Sequence, residues 1–239
     1  MKKIVLLIGC WVWCLASFAQ GTEVSDKEKS KTGSGLPRVE VVRDRLNVDI
    51  FHSFWLGTPS QGNFNKFNPG FNVSAMWDFK LPQTPSLSFG LGLGFSYYTQ
   101  FSNCIIQYDR SKGINLYSII SDNVEYKLNR VTYMNCHIPF EFRYRHANGF
   151  KVSVGIHVGL VAGFEHRYKG NNFNGVEGEY LNYKNMDFYN KQKFSADVYM
   201  RMGWKSFAVF YSYQFNKVFD AGKGPKMNPM SVGLSISLF

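Results

Sequence analysis

From residue 46 onward, apolar and polar residues take turns in eight stretches, and this period of two restricts the possible folds more than any other feature of the chain. It puts successive side chains on opposite faces of a strand, so each stretch meets two different surroundings. The clearest runs Phe71-Asn72-Val73-Ser74-Ala75-Met76-Trp77-Asp78-Phe79-Lys80-Leu81, apolar at every odd position and polar at nearly every even one. In the next, Leu87, Phe89, Leu91, Leu93, Phe95 and Tyr97 share a face, against Ser88, Gly90, Gly92, Gly94 and Ser96. A third row, Cys136, Ile138, Phe140, Phe142 and Tyr144, stands opposite His137, Glu141, Arg143 and Arg145. The longest holds Phe150, Val152, Val154, Ile156, Val158, Leu160, Ala162 and Phe164. Three more lie within 194–204, 207–215 and 230–238, and the stretch at 46–57 is the least regular because Phe51, His52 and Trp55 break its rhythm.

Strands of about 10–16 residues exceed the 5–6 usual in soluble sheets and suffice to cross a bilayer at a tilt, which takes about 9–11. The links between them run to roughly 12, 5, 30, 4, 28, 2 and 12 residues, the alternation of long external loops and short periplasmic turns found in outer-membrane barrels. Both chain ends then fall on the periplasmic side. Pro82-Gln83-Thr84-Pro85 and His146-Ala147-Asn148-Gly149 carry turn formers, and a hairpin at Lys205-Ser206 sets Trp204 opposite Phe207 on the apolar face. The expected fold is all-β, an eight-stranded antiparallel up-and-down transmembrane β-barrel over residues 46–239.

Charge tests the sidedness. Asp49, Asp78, Lys80, Glu141, Arg143, Arg145, Lys151, Glu165, Asp197 and Arg201 all fall opposite the apolar rows. Lipid is the reason, since an Arg or Lys facing it at midplane costs roughly 2–4 kcal/mol. With His137 and His157 these residues are expected to form a polar network in the lumen. An eight-stranded barrel is just wide enough for side chains to fill, so the interior is expected to be a packed plug rather than a pore. Gly90, Gly92, Gly94, Gly155, Gly159 and Gly163 would leave room there for Tyr133, Tyr199 and the arginines. A soluble lipocalin-like barrel would reverse the two faces. The unbroken apolar rows, their aromatic ends Tyr97, Tyr144, Phe150, Phe164 and Trp204, and long loops on one rim alone favour the membrane.

The N-terminus reads as an export signal. Lys2 and Lys3 precede an apolar stretch from Ile4 to Phe18, and Ser17-Phe18-Ala19 places small residues where a signal peptidase cuts, before Gln20. Leu7-Ile8-Gly9-Cys10 also matches a lipoprotein box, but its apolar run is too short for the lipidated alternative to lead. Residues 1–19 are thus expected to be a signal peptide and 20–45 a polar periplasmic linker, with Lys27-Glu28-Lys29-Ser30-Lys31 and Gly33-Ser34-Gly35. The signal takes Cys10 and Cys14 with it, leaving Cys104 and Cys136 to pair or stay free. Aromatics make up 17% of the chain and charged residues 18%, which suits strands better than surface helices. The net charge of +10, about +8 without the signal, points an exported protein toward anionic lipid, lipopolysaccharide and glycan surfaces, with no nucleic-acid partner.

The alternating strand opened by an Ile-Pro, Ile138-Pro139-Phe140-Glu141-Phe142-Arg143-Tyr144, followed by Val154-Gly155-Ile156-His157-Val158-Gly159-Leu160 and a terminal Phe239, resembles the PorT-like outer-membrane β-barrel proteins of Bacteroidota. That resemblance, over residues 46–239, implies a small barrel inserted by the outer-membrane assembly machinery, and one branch of the family serves a protein secretion system. Two features depart from it. Pro139 cannot donate a ladder bond and is expected to mark a bulge, and Phe239 is out of phase with Leu238, Ile236 and Leu234.

Chemistry is sparse. His52-Ser53 is the nearest approach to a lipid-modifying dyad, and there is no nucleophile elbow, zinc spacing or phosphate loop. His137 and His157 face the same interior, and a register with Tyr144 opposite Phe150 would set them side by side as a metal or pH-sensing pair. It would also oppose Arg143 to Lys151, which a two-residue slip would relieve while separating the histidines. Loops at about 102–131 and 167–193, the second rich in Asn, Tyr and Lys, suit contact with glycan or protein, but solvated loops anchored near lipopolysaccharide are the leading expectation. The reading is a non-catalytic structural or interaction component of the envelope, without cofactor or metal, with an envelope protein complex as the expected partner; the alternatives are a narrow channel and, last, a lipid-modifying enzyme.

Overall fold

The structure, a computed structural model, describes residues 41–58, 62–64, 66–81, 84–174, 178–186 and 188–238, with backbone alone at 41–45 and 85. The expected signal peptide, most of the linker, the turn residues Pro82 and Gln83 and the terminal Phe239 lie outside the described residues.

The strands are β1 (Val41–Leu56), β2 (Pro69–Leu81), β3 (Thr84–Phe101), β4 (Cys104–Asp109), β5 (Ile114–Ile119), β6 (Tyr126–Arg145), β7 (Phe150–Asn171), β8 (Tyr180–Asn185), β9 (Phe194–Trp204), β10 (Phe207–Gln214) and β11 (Asn228–Leu238). β1, β2, β3, β6, β7, β9, β10 and β11 pair antiparallel with their neighbours in turn, and β1 closes on β11. The result is an up-and-down barrel of eight strands with no free edge, as alternation and connection lengths led us to expect. β1 starts at Val41, inside the segment expected to be linker.

Ile50, Leu93, Phe142, Val154, Leu160, Met202, Phe207 and Leu234 point outward, Phe142 being 68% and Leu160 63% exposed. Asp49, Asp78, Glu141, Arg143, Asp197 and Arg201 point inward and are buried. Such a skin suits lipid, and contiguous apolar surface around a whole barrel is rare on soluble monomers. The hairpin at Lys205-Ser206 opposes Trp204 to Phe207, with Lys205 taking a positive φ of 49°.

The segments expected to be external loops carry much β-structure of their own. β4 and β5 form a separate hairpin, β6 and β7 run far past the barrel wall, and β8 adds to the edge of β7. Their inner faces pack together through Ile105, Ile120, Tyr168, Leu181 and Tyr183. The barrel thus bears a built crown on its long-loop rim.

Three registers differ from expectation. Pro139 keeps the register of β6 on both sides, opposite His157 on β7, while a bulge falls between Met134 and Asn135 of β6, where Gly163 and Val161 are the β7 partners and Ala162 is extra. That extra residue reverses the phase of β7, so Phe164 turns inward and is 1% exposed instead of ending the outer row. Gly163 accordingly abuts the outward Met134 rather than the lumen. Finally, β6 and β7 pair with Tyr144 opposite Val152, two residues from the register that aligns the histidines, and Arg143 faces Ser153 instead of Lys151.

Candidate functional site in the barrel lumen

In the periplasmic half, three guanidiniums and three carboxylates alternate in one chain. Asp78 accepts from both Arg143 and Arg145, and Arg143 also pairs with Glu141 at 2.5 Å. Glu141 is shared with Arg201 at 2.6 Å and accepts from the Tyr199 hydroxyl at 2.8 Å. Arg201 in turn forks onto Asp49, its Nε and Nη2 donating at 2.9 and 2.7 Å. Asp49 takes a further hydrogen bond from Asn72 Nδ2 at 2.6 Å. The charges cancel along this chain, and charge-assisted bonds at each oxygen offset the cost of taking ions out of water. The closed sheet fixes the residues: they come from β1, β2, β6 and β9, each at an inward position of its alternation.

Lys151 donates to Ser237 Oγ at 2.8 Å at the periplasmic mouth, and Lys80 lies on the inward phase of β2 beside Ser88 of β3. At mid-height, His157 Nδ1 meets Asp197 at 2.7 Å and its ring stacks on Tyr199 at 3.9 Å. The His137 ring lies 4.2 Å from that of His157 despite the shifted register, because diagonal neighbours across a ladder remain within reach of long side chains. Among the described residues no cluster of three metal-ligating side chains occurs.

Glu165 leaves the expected luminal set. The phase reversal at Ala162 carries it to the outer face, where it pairs with Lys184 of β8 at 2.8 Å. All the other expected luminal residues lie on the inward side.

Above the ion pairs sits a second layer that sequence reasoning missed as a unit: Phe51, Trp55, Tyr98, Tyr133, Phe164, Phe188, Phe210 and Phe219, all buried in one cluster. Its signal was present, since Phe51, Tyr98 and Phe210 occupy the polar phase of their strands. Gly155 and Gly90 make room as expected, a Cβ at Gly155 falling 2.8 Å from the Tyr199 ring and one at Gly90 3.3 Å from the Arg143 guanidinium. The space left over beside Glu141, Arg143 and Arg201 is about 20 Å³, enough for about one water. A wider vestibule of about 390 Å³ opens at the periplasmic mouth, lined by Arg145, Lys151, Lys205 and Ser237.

In the crown, His166 meets Asn129 Oδ1 at 2.7 Å, and Asn129 Nδ2 donates to the carbonyls of Ser102 and Cys104 at 2.9 Å each. Burial pulls the His166 imidazole down to about 4 and pushes the Cys104 thiol up to about 11. Cys104 and Cys136 are both free thiols. His52 and Ser53, adjacent on β1, point to opposite faces: Ser53 is buried inside, while the His52 ring stacks on Phe67 outside.

A closed eight-stranded sheet with an apolar skin and a charged, filled interior is a transmembrane β-barrel of the outer-membrane kind. No protein-family model matches the chain, and no curated protein sequence matches it significantly. Among solved structures it is similar to Neisserial surface protein A, with 8% identity over 83% of this chain and 98% of that one and a TM-score of 0.41. It is also similar to Ail, the attachment invasion locus protein of Yersinia pestis solved with the heparin analogue sucrose octasulfate, with 11% identity over 82% and 97% and a TM-score of 0.37. Likeness at this level carries nothing about activity, and the class rests on the barrel's own closure and sidedness.

Proposed function

We propose that the protein is a non-catalytic interaction component of the cell envelope: a closed barrel that anchors an external crown and presents it to a protein partner. The observation that carries this reading is the double filling of the lumen among the described residues, ion pairs below and aromatic rings above. Against the narrow-channel alternative, each layer would have to open. Against lipid-modifying chemistry, His52 and Ser53 are held on opposite sides of the barrel wall, so the one local dyad cannot act together. The crown, by contrast, is ordered by its own strands and hydrophobic cluster, which is costly to maintain unless it is used.

The narrower assignment, a PorT-like barrel of Bacteroidota working with a protein secretion system and inserted by the outer-membrane assembly machinery, is supported by the Ile138-Pro139 strand and the glycine-spaced strand after it. Affinity purification from chemically crosslinked envelopes tests the proposal. A defined envelope protein is expected to accompany the full-length chain and to be lost when residues 103–120, the β4–β5 hairpin, are replaced by a short turn. Recovery of the chain alone, under crosslinking that captures other envelope complexes, would overturn it.

A further inference from the structure

Above the bulge at Ala162, the outer face of the sheet changes character. The outward residues of β7 below it include Val154, Ile156 and Leu160; above it they are Glu165, Arg167 and Lys169. Arg130 of β6 lies directly opposite Arg167, and Arg167 directly opposite Lys184 of β8. Directly opposed residues of an antiparallel ladder share a face, so three cations stand in one rung across three neighbouring strands, and such opposition of like charges destabilises a sheet. Among the described residues only Lys184 of this rung has an ion pair, to Glu165. Nε of Arg130 is buried without a hydrogen-bond partner. Glu165 answers only one of the three charges, so the rung keeps a net positive charge on the outer face.

Its position says what kind of anion. Arg130 is four residues past Met134, which with Ile138 and Leu160 belongs to the apolar belt on the same outer surface. At roughly 3.3 Å per residue along a tilted strand, the rung stands about 10 Å above that belt, in the headgroup layer. A ligand held there has acyl-binding surface directly beneath it. A soluble polyanion would have no use for that surface.

We propose that Arg130, Arg167 and Lys184 form a site on the outside of the barrel wall for the phosphate-bearing headgroup of an outer-leaflet lipid, with Lys169 supporting from the next rung. The proposal rests on the outer-membrane reading of the barrel. Two guanidiniums offer paired donors that match phosphate oxygens, and the lysine adds a compact charge beside them. Binding relieves the repulsion along the rung and ties β8 to β6, so the crown is braced by the membrane that surrounds it.

Full-length protein in phosphatidylcholine nanodiscs doped with bis-phosphorylated lipid A, or with the same lipid A stripped of phosphate, tests the site by counting retained lipid with native mass spectrometry. The native chain is expected to retain the phosphorylated form selectively. The triple variant Arg130→Ala, Arg167→Ala, Lys184→Ala should retain roughly tenfold less or lower still, whereas Lys223→Ala with Lys226→Ala, on a separate loop, should match the native chain. Should the triple variant lose its β-sheet circular dichroism, the single reversal Arg167→Glu gives the same readout. Equal retention of both lipid forms, undiminished retention by the folded triple or reversal variant, or preferential capture of a soluble sulfated polysaccharide over the lipid would each overturn the assignment. Absence of a protein partner in crosslinked envelopes leaves this readout untouched, so the two proposals fail separately.

Discussion

Arg201 is 3% exposed, and the cost of burying its charge is offset by close partners: Asp49 takes two of its five N–H groups, Glu141 a third, and the rings of Tyr199 and Phe210 lie 4.7 and 5.4 Å from its guanidinium carbon. Removing it would leave two carboxylates facing each other in a dry interior. Arg201→Ala is therefore expected to lower the unfolding free energy, measured by urea titration in detergent micelles, by about 3–5 kcal/mol. Arg201→Lys should recover only part of this, since an ammonium cannot fork onto Asp49 and still reach Glu141. The neighbouring Gly155 is constrained from the opposite direction. A Cβ there would stand 2.3 Å from the Phe140 carbonyl oxygen and 2.8 Å from the Tyr199 hydroxyl that serves Glu141. Gly155→Val should then cost about 1–3 kcal/mol in the same titration, and a variant as stable as the native chain would mean that the wall yields where the packing says it cannot.

At the level of the strands, the crown has a weakness to acid that the barrel wall below it need not share. Because burial holds His166 neutral and lowers it to about 4, against about 6.5 in an unfolded chain, the stabilisation is complete above about 6.5. It is lost as the pH falls toward 4, where the open crown takes up the proton more readily. Hydrogen-exchange protection over residues 160–172, corrected for the intrinsic rate at each pH, should fall between pH 6.5 and 4.5 by more than in β9 or β10. His166→Gln, which can still donate to Asn129, should flatten that dependence; unchanged acid sensitivity in the variant would place the titrating group elsewhere. The same strands show where sequence reading ends. Lipid on one side and a polar interior on the other impose alternation, so the eight wall strands and the inward placement of Asp49, Asp78, Glu141 and Arg201 were legible. The bulge was not, because Ala162 and Gly163 are small and the apolar row reads on smoothly into Phe164, leaving no mark of the extra residue that sends Glu165 outward. β4, β5 and β8 lie beyond the apolar belt, and in β8 Tyr180 and Leu181 put apolar character on both faces, so no period of two announces them. Which acid meets which base depends on register, and a slip of two residues along β6 and β7 preserves every inward position while changing every partner.

For the whole molecule, the two fillings of the lumen act in series, and that ordering makes the closed state testable. A solute crossing from the vestibule at Arg145 and Lys151 meets first the chain of ion pairs through Asp78, Glu141 and Arg201, then the ring cluster of Trp55, Tyr133 and Phe164. Opening either layer alone leaves the other in place. The native chain in planar bilayers is expected to give no discrete openings, and so is Glu141→Ala with Arg201→Ala, which removes one charge of each sign and leaves Asp49 with its hydrogen bond from Asn72. Trp55→Ala with Tyr133→Ala, which thins the upper layer only, should also stay shut. Combining the four substitutions should produce stepwise currents, since an eight-stranded wall stripped of its filling encloses a water-wide bore. Currents from either double variant would show that the untouched layer does not seal, and currents from the native chain would put the narrow channel ahead of an anchor for the crown.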